Sequence, residues 1–348
     1  MGFFTPAQSY LGIDIGSTSI KLVELKKEGK TIRLLTYGFS EQGNSGQTDW
    51  QNNSKAAAGI INKIRDEAGA GGNSAVSALP TFSVFSSVLN LSNVSKKDIS
   101  AAVHWEAKKV IPLPLEDMIL DWKQIDEEID KKGAKKNLRV LLTGAPRTLV
   151  KKYIEIFKEA RLNLLSLETE TFSLIRSLVG NDKSTVMIVE FGASTTDVSI
   201  IDKGIPMLNR SIDVGGITIT KALGRHAEID DKKAEQLKYD LGISQFKEQD
   251  GETPKLVSDT IAPIVNEIKY AINLFQNKNN RKTEKVILSG GSALLPNLVK
   301  YLGKILDMKV IIGDPWTRVV YPKELRPLLQ EIGPRMSVAI GLALRELE

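Results

Sequence analysis

Apolar residues alternate with polar ones from Leu11 into Asp14, small polar residues turn the chain over Gly16 to Ser19, and alternation resumes from Ile20 to Leu25. Period-two patterning on both sides of a Gly/Ser turn predicts a β-hairpin. The same grammar returns in the second half: an apolar run Val186 to Val189, the carboxylate Glu190, then Gly192, Ser194 and Thr195 in a turn, and a second strand to Ile200. Between and around these hairpins the pattern predicts strands over Thr31 to Tyr37, Ala75 to Leu79, Leu138 to Thr143 and Leu162 to Leu167. Helical periodicity covers Ser54 to Ala68, with Ser54 as the cap, then Arg147 to Ala160 and Thr169 to Leu178. Beyond the second hairpin, Asp213-Val214-Gly215-Gly216 precedes helical sequence continuing through Lys238, and an amphipathic helix covers Leu256 to Phe275. Val286 to Leu295 reads as strand, Gly turn and helix, and Met336 to Leu347 as an apolar-striped helix.

Two like hairpins one domain length apart predict a duplicated α/β fold whose turns face one cleft. Gly16 lets backbone approach a ligand closely, and Ser17 and Thr18 offer N–H and hydroxyl donors. Asp14, at the strand's end, can hold water on a metal ion, which suits a phosphate–Mg²⁺ pair because Mg²⁺ keeps several waters and leans on one or two carboxylates. Residues 83–137 read as a separate module. A Ser95-to-Asp98 capping pattern opens a helix with Ile99, Ala102, Val103 and Val110 on one face, stopping at Ile111-Pro112. Met118, Leu120 and Trp122 then alternate as a strand face, and 126–137 is a highly charged turn. The expected organisation is a first lobe in two parts, 1–82 and 138–183, around an α+β insert at 83–137. A second lobe follows at 184–330, with a smaller subdomain at 222–284, and a closing helix at 331–348. The stretch 40–53 reads as an exposed loop.

The chain has 348 residues, 42% of them apolar, with a formal net charge of +5 and no cysteine. That length supports about two cores, and disulfides, thiolate catalysis and zinc fingers are excluded. The two histidines, His104 and His226, sit in unrelated contexts. Basic residues come in short pairs near acids with no aromatic interleaving, so nucleic acid is not an expected partner. No apolar run reaches membrane-spanning length, which predicts a cytosolic chain touching membranes only through partners. Gly29-Lys30-Thr31 imitates the end of a phosphate-binding P-loop, but a strand follows it where a helix is required.

In their order, the two hairpins and the strand-Gly-Gly-helix element resemble the phosphate and adenosine motifs of the actin, sugar-kinase and heat-shock-chaperone superfamily. The fold implied is an actin-like, ribonuclease H-like duplicated, two-lobe ATP-binding fold. Within it, the run His104-Trp105-Glu106-Ala107-Lys108-Lys109-Val110-Ile111-Pro112-Leu113-Pro114-Leu115-Glu116-Asp117 and the run Ser166 to Phe172 resemble the PilM family of type IV pilus assembly, with the FtsA cell-division family a more distant likeness. The resemblance implies ATP and Mg²⁺ as cofactors. Asp14 and Glu190 would hold the metal through water, and Gly16, Ser17, Thr18, Lys21, Gly192, Ser194 and Thr195 would hold phosphates. Gly215 and Gly216 would approach the nucleotide, Glu235 and Lys238 would line sugar and base, and Gly290, Gly291 and Ser292 would contact adenosine. Glu170 lies where relatives position an attacking water, with a packed helix carboxylate as its other reading; Glu235 and Lys238 also read as an i, i+3 surface pair. Glu190 stands where the superfamily has Asp, a longer reach that favours binding over turnover. The implied partner is the N-terminal cytoplasmic segment of a PilN-like inner-membrane protein. Contacts to pilus assembly ATPases and self-association are further implications, and a small-molecule kinase or an FtsA-like filament protein are the alternatives.

Overall fold

In the computed structural model, which describes residues 8–41, 53–92, 94, 97–129, 136–243 and 252–348, the first alternating run forms β1 (Ser9–Ile15) and β2 (Ser19–Glu28), followed by β3 (Thr31–Glu41). Next come α1 (Ser54–Ala68), β4 (Ser74–Leu79), β5 (Phe85–Ser92), α2 (Ile99–Val110), β6 (Met118–Ile129), β7 (Lys136–Pro146), α3 (Arg147–Glu159), β8 (Asn163–Thr169) and α4 (Glu170–Leu174), which runs on as a π-helical turn over Ile175–Val179. The second half holds β9 (Val186–Phe191), β10 (Thr196–Asp202), β11 (Ile205–Ile212), α5 (Gly216–Ala227), α6 (Asp231–Leu241), α7 (Glu252–Asn279), β12 (Lys285–Ser289), α8 (Leu298–Leu306), β13 (Lys309–Ile312) and α9 (Arg326–Leu344).

The duplication is visible in strand order. One five-stranded sheet runs β3-β2-β1-β4-β8 and the other β11-β10-β9-β12-β13. In each, the first three strands pair antiparallel and the last two join in parallel. The parallel strands β9 and β12 are apolar along almost their whole length because helices cover both faces. Lobe two packs Val189, Phe191 and Val198 against Ile219, Ile261 and Ile268 of its helices. Lobe one packs Leu11, Ile13 and Leu22 against Ile61, Ile156 and Phe157.

Helices α4 and α9 join the lobes. A shared core of Val76, Leu174, Ile188, Ile287, Val338 and Leu342 draws on both sheets and both helices. Two glycines set the spacing. A methyl group on Gly12 would lie 1.9 Å from the Ala339 carbonyl oxygen, and one on Gly341 would lie 2.0 Å from that of Ser173. Helix α9 therefore meets β1 and α4 backbone to backbone, as only a residue without Cβ permits. Arg176 donates to the Gly341 carbonyl and forms a two-pronged pair with Glu168 at 2.8 and 2.9 Å, tying the crossing from below.

The insert has its own core of Leu91, Val103, Ala107, Met118, Val140 and Leu142. Its sheet runs β5-β7-β6, and this moves an expected boundary. The strand Leu138 to Thr143, assigned to the first lobe, lies within β7, the middle strand of the insert's sheet; strand pairing, which local patterning does not encode, decides this. The charged stretch 126–137 is not simply a turn, because β6 runs to Ile129 and β7 starts at Lys136. Three further expectations shift. Asn53, not Ser54, caps α1, its side chain accepting from Ala56 N. Asp98 is the N-cap of α2, and Ser95 lies outside the described residues. The helical run through Lys238 breaks at Glu228, whose φ of 53° ends α5 before Asp230 caps α6. Most of the 40–53 loop lies outside the described residues. Among the described residues, no helix is long and apolar enough to cross a membrane.

Candidate functional site

The hairpin registers build two matching rows of side chains. In lobe one, Asp14 pairs with Lys21 and Lys21 with Phe39. In lobe two, Glu190 pairs with Asp197 and Asp197 with Ser211. Directly opposed residues project from the same face of a sheet, so each row lines one surface. Both turns close alike, Gly16 N donating to Ser19 O at 2.9 Å and Gly192 N to Thr195 O at 3.0 Å. The two loops meet: Ser194 Oγ donates to Ser17 Oγ at 3.0 Å. Thr18 and Thr195 stand partly exposed in the same turns. The predicted phosphate residues of both lobes thus converge on one place.

The rows differ in charge. Asp14 Oδ2 is taken up by Lys21 Nζ at 2.7 Å, and Asp14 is buried. The corresponding position in lobe two is an acid, Asp197, and with Glu170 at the start of α4 it gathers around Glu190: the three carboxylates present oxygens all within 4.8 Å of one another. Glu170 Oε2 accepts from Thr81 N at 2.7 Å and from Thr81 Oγ1 at 2.9 Å. Asp197 accepts from Ser211 Oγ. Glu190 Oε2 is buried without a hydrogen-bond partner. Crowding acids away from water favours their neutral forms. Burial, with the charges of Asp197 and Asp14 adding to it and Thr81 opposing, pushes Glu170 up to about 8. Burial and the Glu170 charge raise Glu190 well above the usual range. Burial raises Asp197 to about 6 against the hydrogen bond from Ser211. An all-oxygen set with one unpartnered carboxylate oxygen fits a hard divalent cation such as Mg²⁺. The oxygens gathered here belong to Glu190, Glu170 and Asp197, whereas the Asp14 carboxylate is engaged by a cation.

On the far side of the second hairpin, Gly216 N donates to Gly192 O at 3.0 Å, hanging the start of α5 on the hairpin turn. A methyl on Gly216 would lie 2.4 Å from Ser292 Oγ and 3.4 Å from Lys238 Nζ, so Gly216, Ser292 and Lys238 share one small space. A methyl on Gly215 would strike Ala193 O at 2.5 Å. Lys238 is only 2% exposed, which excludes the surface-pair reading; its ammonium donates to both oxygens of Glu235 at 2.7 Å and to Thr220 Oγ1 at 3.2 Å. Burial lowers its pKa against the pull of Glu235. Gly290, at φ 86°, turns the chain after β12 and donates N–H to Pro334 O of α9 at 2.9 Å, while Gly291 O accepts from Tyr239 OH at 3.4 Å. The turns of the two hairpins thus meet at Ser17 and Ser194, and Gly216, Ser292 and Lys238 lie together behind the second of them. Glu170, raised to about 8 and hydrogen-bonded to Thr81, is a poor base at neutrality.

Three residues that the fold brings to this place, Thr81, Asp197 and Ser211, went unseen in the sequence. A signal existed for Asp197, which follows Glu190 at the spacing at which Lys21 follows Asp14.

Two like sheets with facing hairpins and two crossing helices define an actin-like two-lobe protein. The chain belongs to the family described as type IV pilus assembly protein PilM, whose model matches residues 12–347. Its structure is similar to that of the PilM-PilN type IV pilus biogenesis complex, with a TM-score of 0.83 at 23% identity over 99% of this chain and 100% of that one. It is similar at a TM-score of 0.57 and 12% identity to MreB 5 of Spiroplasma citri bound to AMPPNP, over 98% and 96% of the two chains. By sequence it is 24% identical over 284 residues to the cell division protein FtsA of Neisseria meningitidis, covering 72% of this chain and 66% of that protein, just under two thirds of its length.

Proposed function

We propose that this protein is a nucleotide-gated scaffold of the type IV pilus inner-membrane platform. It binds ATP with Mg²⁺ in the cleft and presents its insert to the N-terminal cytoplasmic segment of a PilN-like membrane protein, through which it sits at the membrane. The observation that carries this reading is the meeting of the two hairpin turns at Ser17 and Ser194. Phosphates seated there are gripped by N–H and hydroxyl donors of both lobes at once, so occupancy fixes the angle between the lobes. Ser17, Thr18, Lys21, Ser194 and Thr195 supply those donors, and Gly16 and Gly192 let the backbone come close; Gly216, Glu235, Lys238, Gly290, Gly291 and Ser292 border the nucleoside. Mg²⁺, held by Glu190 with Glu170 and Asp197 and through water by Asp14, would neutralise phosphate charge.

Turnover is expected to be slow or absent, because Glu170 holds its proton near neutral pH without the cation and is committed to the cation once Mg²⁺ is bound, while its Oε2 is occupied by Thr81. The same feature weighs against a small-molecule kinase, which needs a base in the cleft. Thr81 also opens the turn from β4 into the insert, beside Phe82, 59% exposed. On the insert itself, Trp105 is 63% and Leu113 50% exposed, while Trp122 packs against the insert's core. Exposed aromatic and aliphatic anchors are what a short peptide needs, since a few buried side chains supply most of its affinity. Calorimetric titration with ATP should show one site whose affinity falls in EDTA. A flat titration at millimolar ATP refutes the proposal.

A further inference from the structure

The lobe-one row does not end at Phe39. Phe39 is 40% exposed, unusual for an aromatic ring in a paired strand, and the Arg335 guanidinium of α9 lies over it with Cζ 5.7 Å from the ring centroid. Arg335 also borders lobe two, where a methyl group on Gly291 would sit 3.7 Å from its Nη2 and 3.9 Å from its Nε. The neighbouring residue, Pro334, fixes this approach, its carbonyl accepting from Gly290 N at 2.9 Å and Ser289 Oγ at 3.1 Å. Arg335 is also close enough to the buried ammonium of Lys238 for its charge to add to the effect of burial in lowering that group. One guanidinium thus touches an aromatic ring of lobe one, borders the glycine turn of lobe two and stands on the helix that joins them.

We propose that Arg335 contacts the nucleoside half of the bound nucleotide, with Phe39 as the residue that positions it. This rests on the ATP-binding reading above and names a residue of that site which no motif contains. A planar guanidinium stacks on aromatic faces and offers a fork of donors with no acceptor. The ring of Phe39 and a purine base can share its two faces, while its N–H groups meet acceptors on the base or ribose. Gly291 keeps the space beside it open. The guanidinium already stands between Phe39 and the Gly291 turn, so the nucleoside would meet it in place and at little ordering cost.

The experiment is calorimetric titration of the full chain and its R335A, R335K, F39L and K238A variants, each against ATP with Mg²⁺ and against inorganic triphosphate with Mg²⁺. R335A should weaken ATP about tenfold, on the scale of a desolvated cation–π contact, and leave triphosphate affinity unchanged. R335K, which keeps charge but loses the plane, should fall between, and F39L should weaken ATP severalfold. Thermal transitions close to wild type establish folding, and should R335A fail to fold, R335K and F39L decide. Wild-type ATP affinity in R335A, alongside loss of binding in K238A, overturns this assignment and leaves the ATP site standing. Equal losses for ATP and triphosphate overturn it in favour of a phosphate contact. A wild-type protein that binds no ATP overturns both.

Discussion

Replacing Glu170 with Gln tests the acid cluster directly. Glu170 titrates near 8 inside the fold against 4.5 outside it, so between those values the folded protein holds a proton that the unfolded chain has released. Stability contributed by that proton is fully present below about pH 4.5 and is lost as pH rises through 8. At about 1.4 kcal/mol per unit, the fall between pH 5 and 8 is on the order of 3 kcal/mol. Glu190 and Asp197 are shifted the same way, so they add to the slope. Gln occupies the same volume and can still accept from Thr81 N and Oγ1 through its amide oxygen, but it carries no charge to bury. Urea unfolding of the wild type in EDTA should show stability decreasing from pH 5 to pH 8, and E170Q should lose at least half of that decrease. An unchanged slope in E170Q would refute the assignment of the buried proton. Added Mg²⁺ should flatten the wild-type slope, since the cation stabilises the ionised carboxylates.

Gly341→Ala drives a methyl group into the Ser173 carbonyl at 2.0 Å, where two backbones leave no flexible neighbour to yield. A loss of about 3 kcal/mol is expected, read as a lower urea midpoint, and an unchanged midpoint would show that the helix crossing is loose. Glu190→Asp shortens the carboxylate that stands where the superfamily has Asp; phosphate release should rise above the wild-type rate if reach limits turnover, and brisk release by the wild type itself would end that reasoning. Reversing the charge of Lys108 and Lys109 on α2, beside exposed Trp105, should weaken capture of a PilN-like N-terminal peptide while ATP affinity stays constant. Peptide capture indifferent to both substitutions, and to Trp105→Ala, would remove the insert's helix from the partner surface.

Much of the chemistry was legible from local order. A tight turn between two strands needs Gly and small polar residues within a few positions, so both hairpins stood out, as did the Gly290-Gly291 turn behind β12. Their repetition disclosed the duplicated sheet before any strand pairing was known, because an apolar alternation that must be buried on one face fixes strand, turn and strand together. What the sequence could not hold was partnership over distance. Leu138 to Thr143 reads as a buried strand wherever it pairs, and only its register with β5 and β6 assigns it to the insert. Lys21 and Asp14 lie seven positions apart along the chain, and only the hairpin register sets the ammonium of one on the carboxylate of the other. Glu170 and Glu190 stood out one at a time and Asp197 not at all; only the fold brings their oxygens within 4.8 Å of one another, where burial holds the proton of Glu170 near neutral pH. Arg335 sits in a helix with nothing local to mark it, and the ring and the glycine turn that give it meaning come from opposite lobes. Charge, burial and distance between remote segments act only once the chain is folded, so tertiary structure alone could decide them.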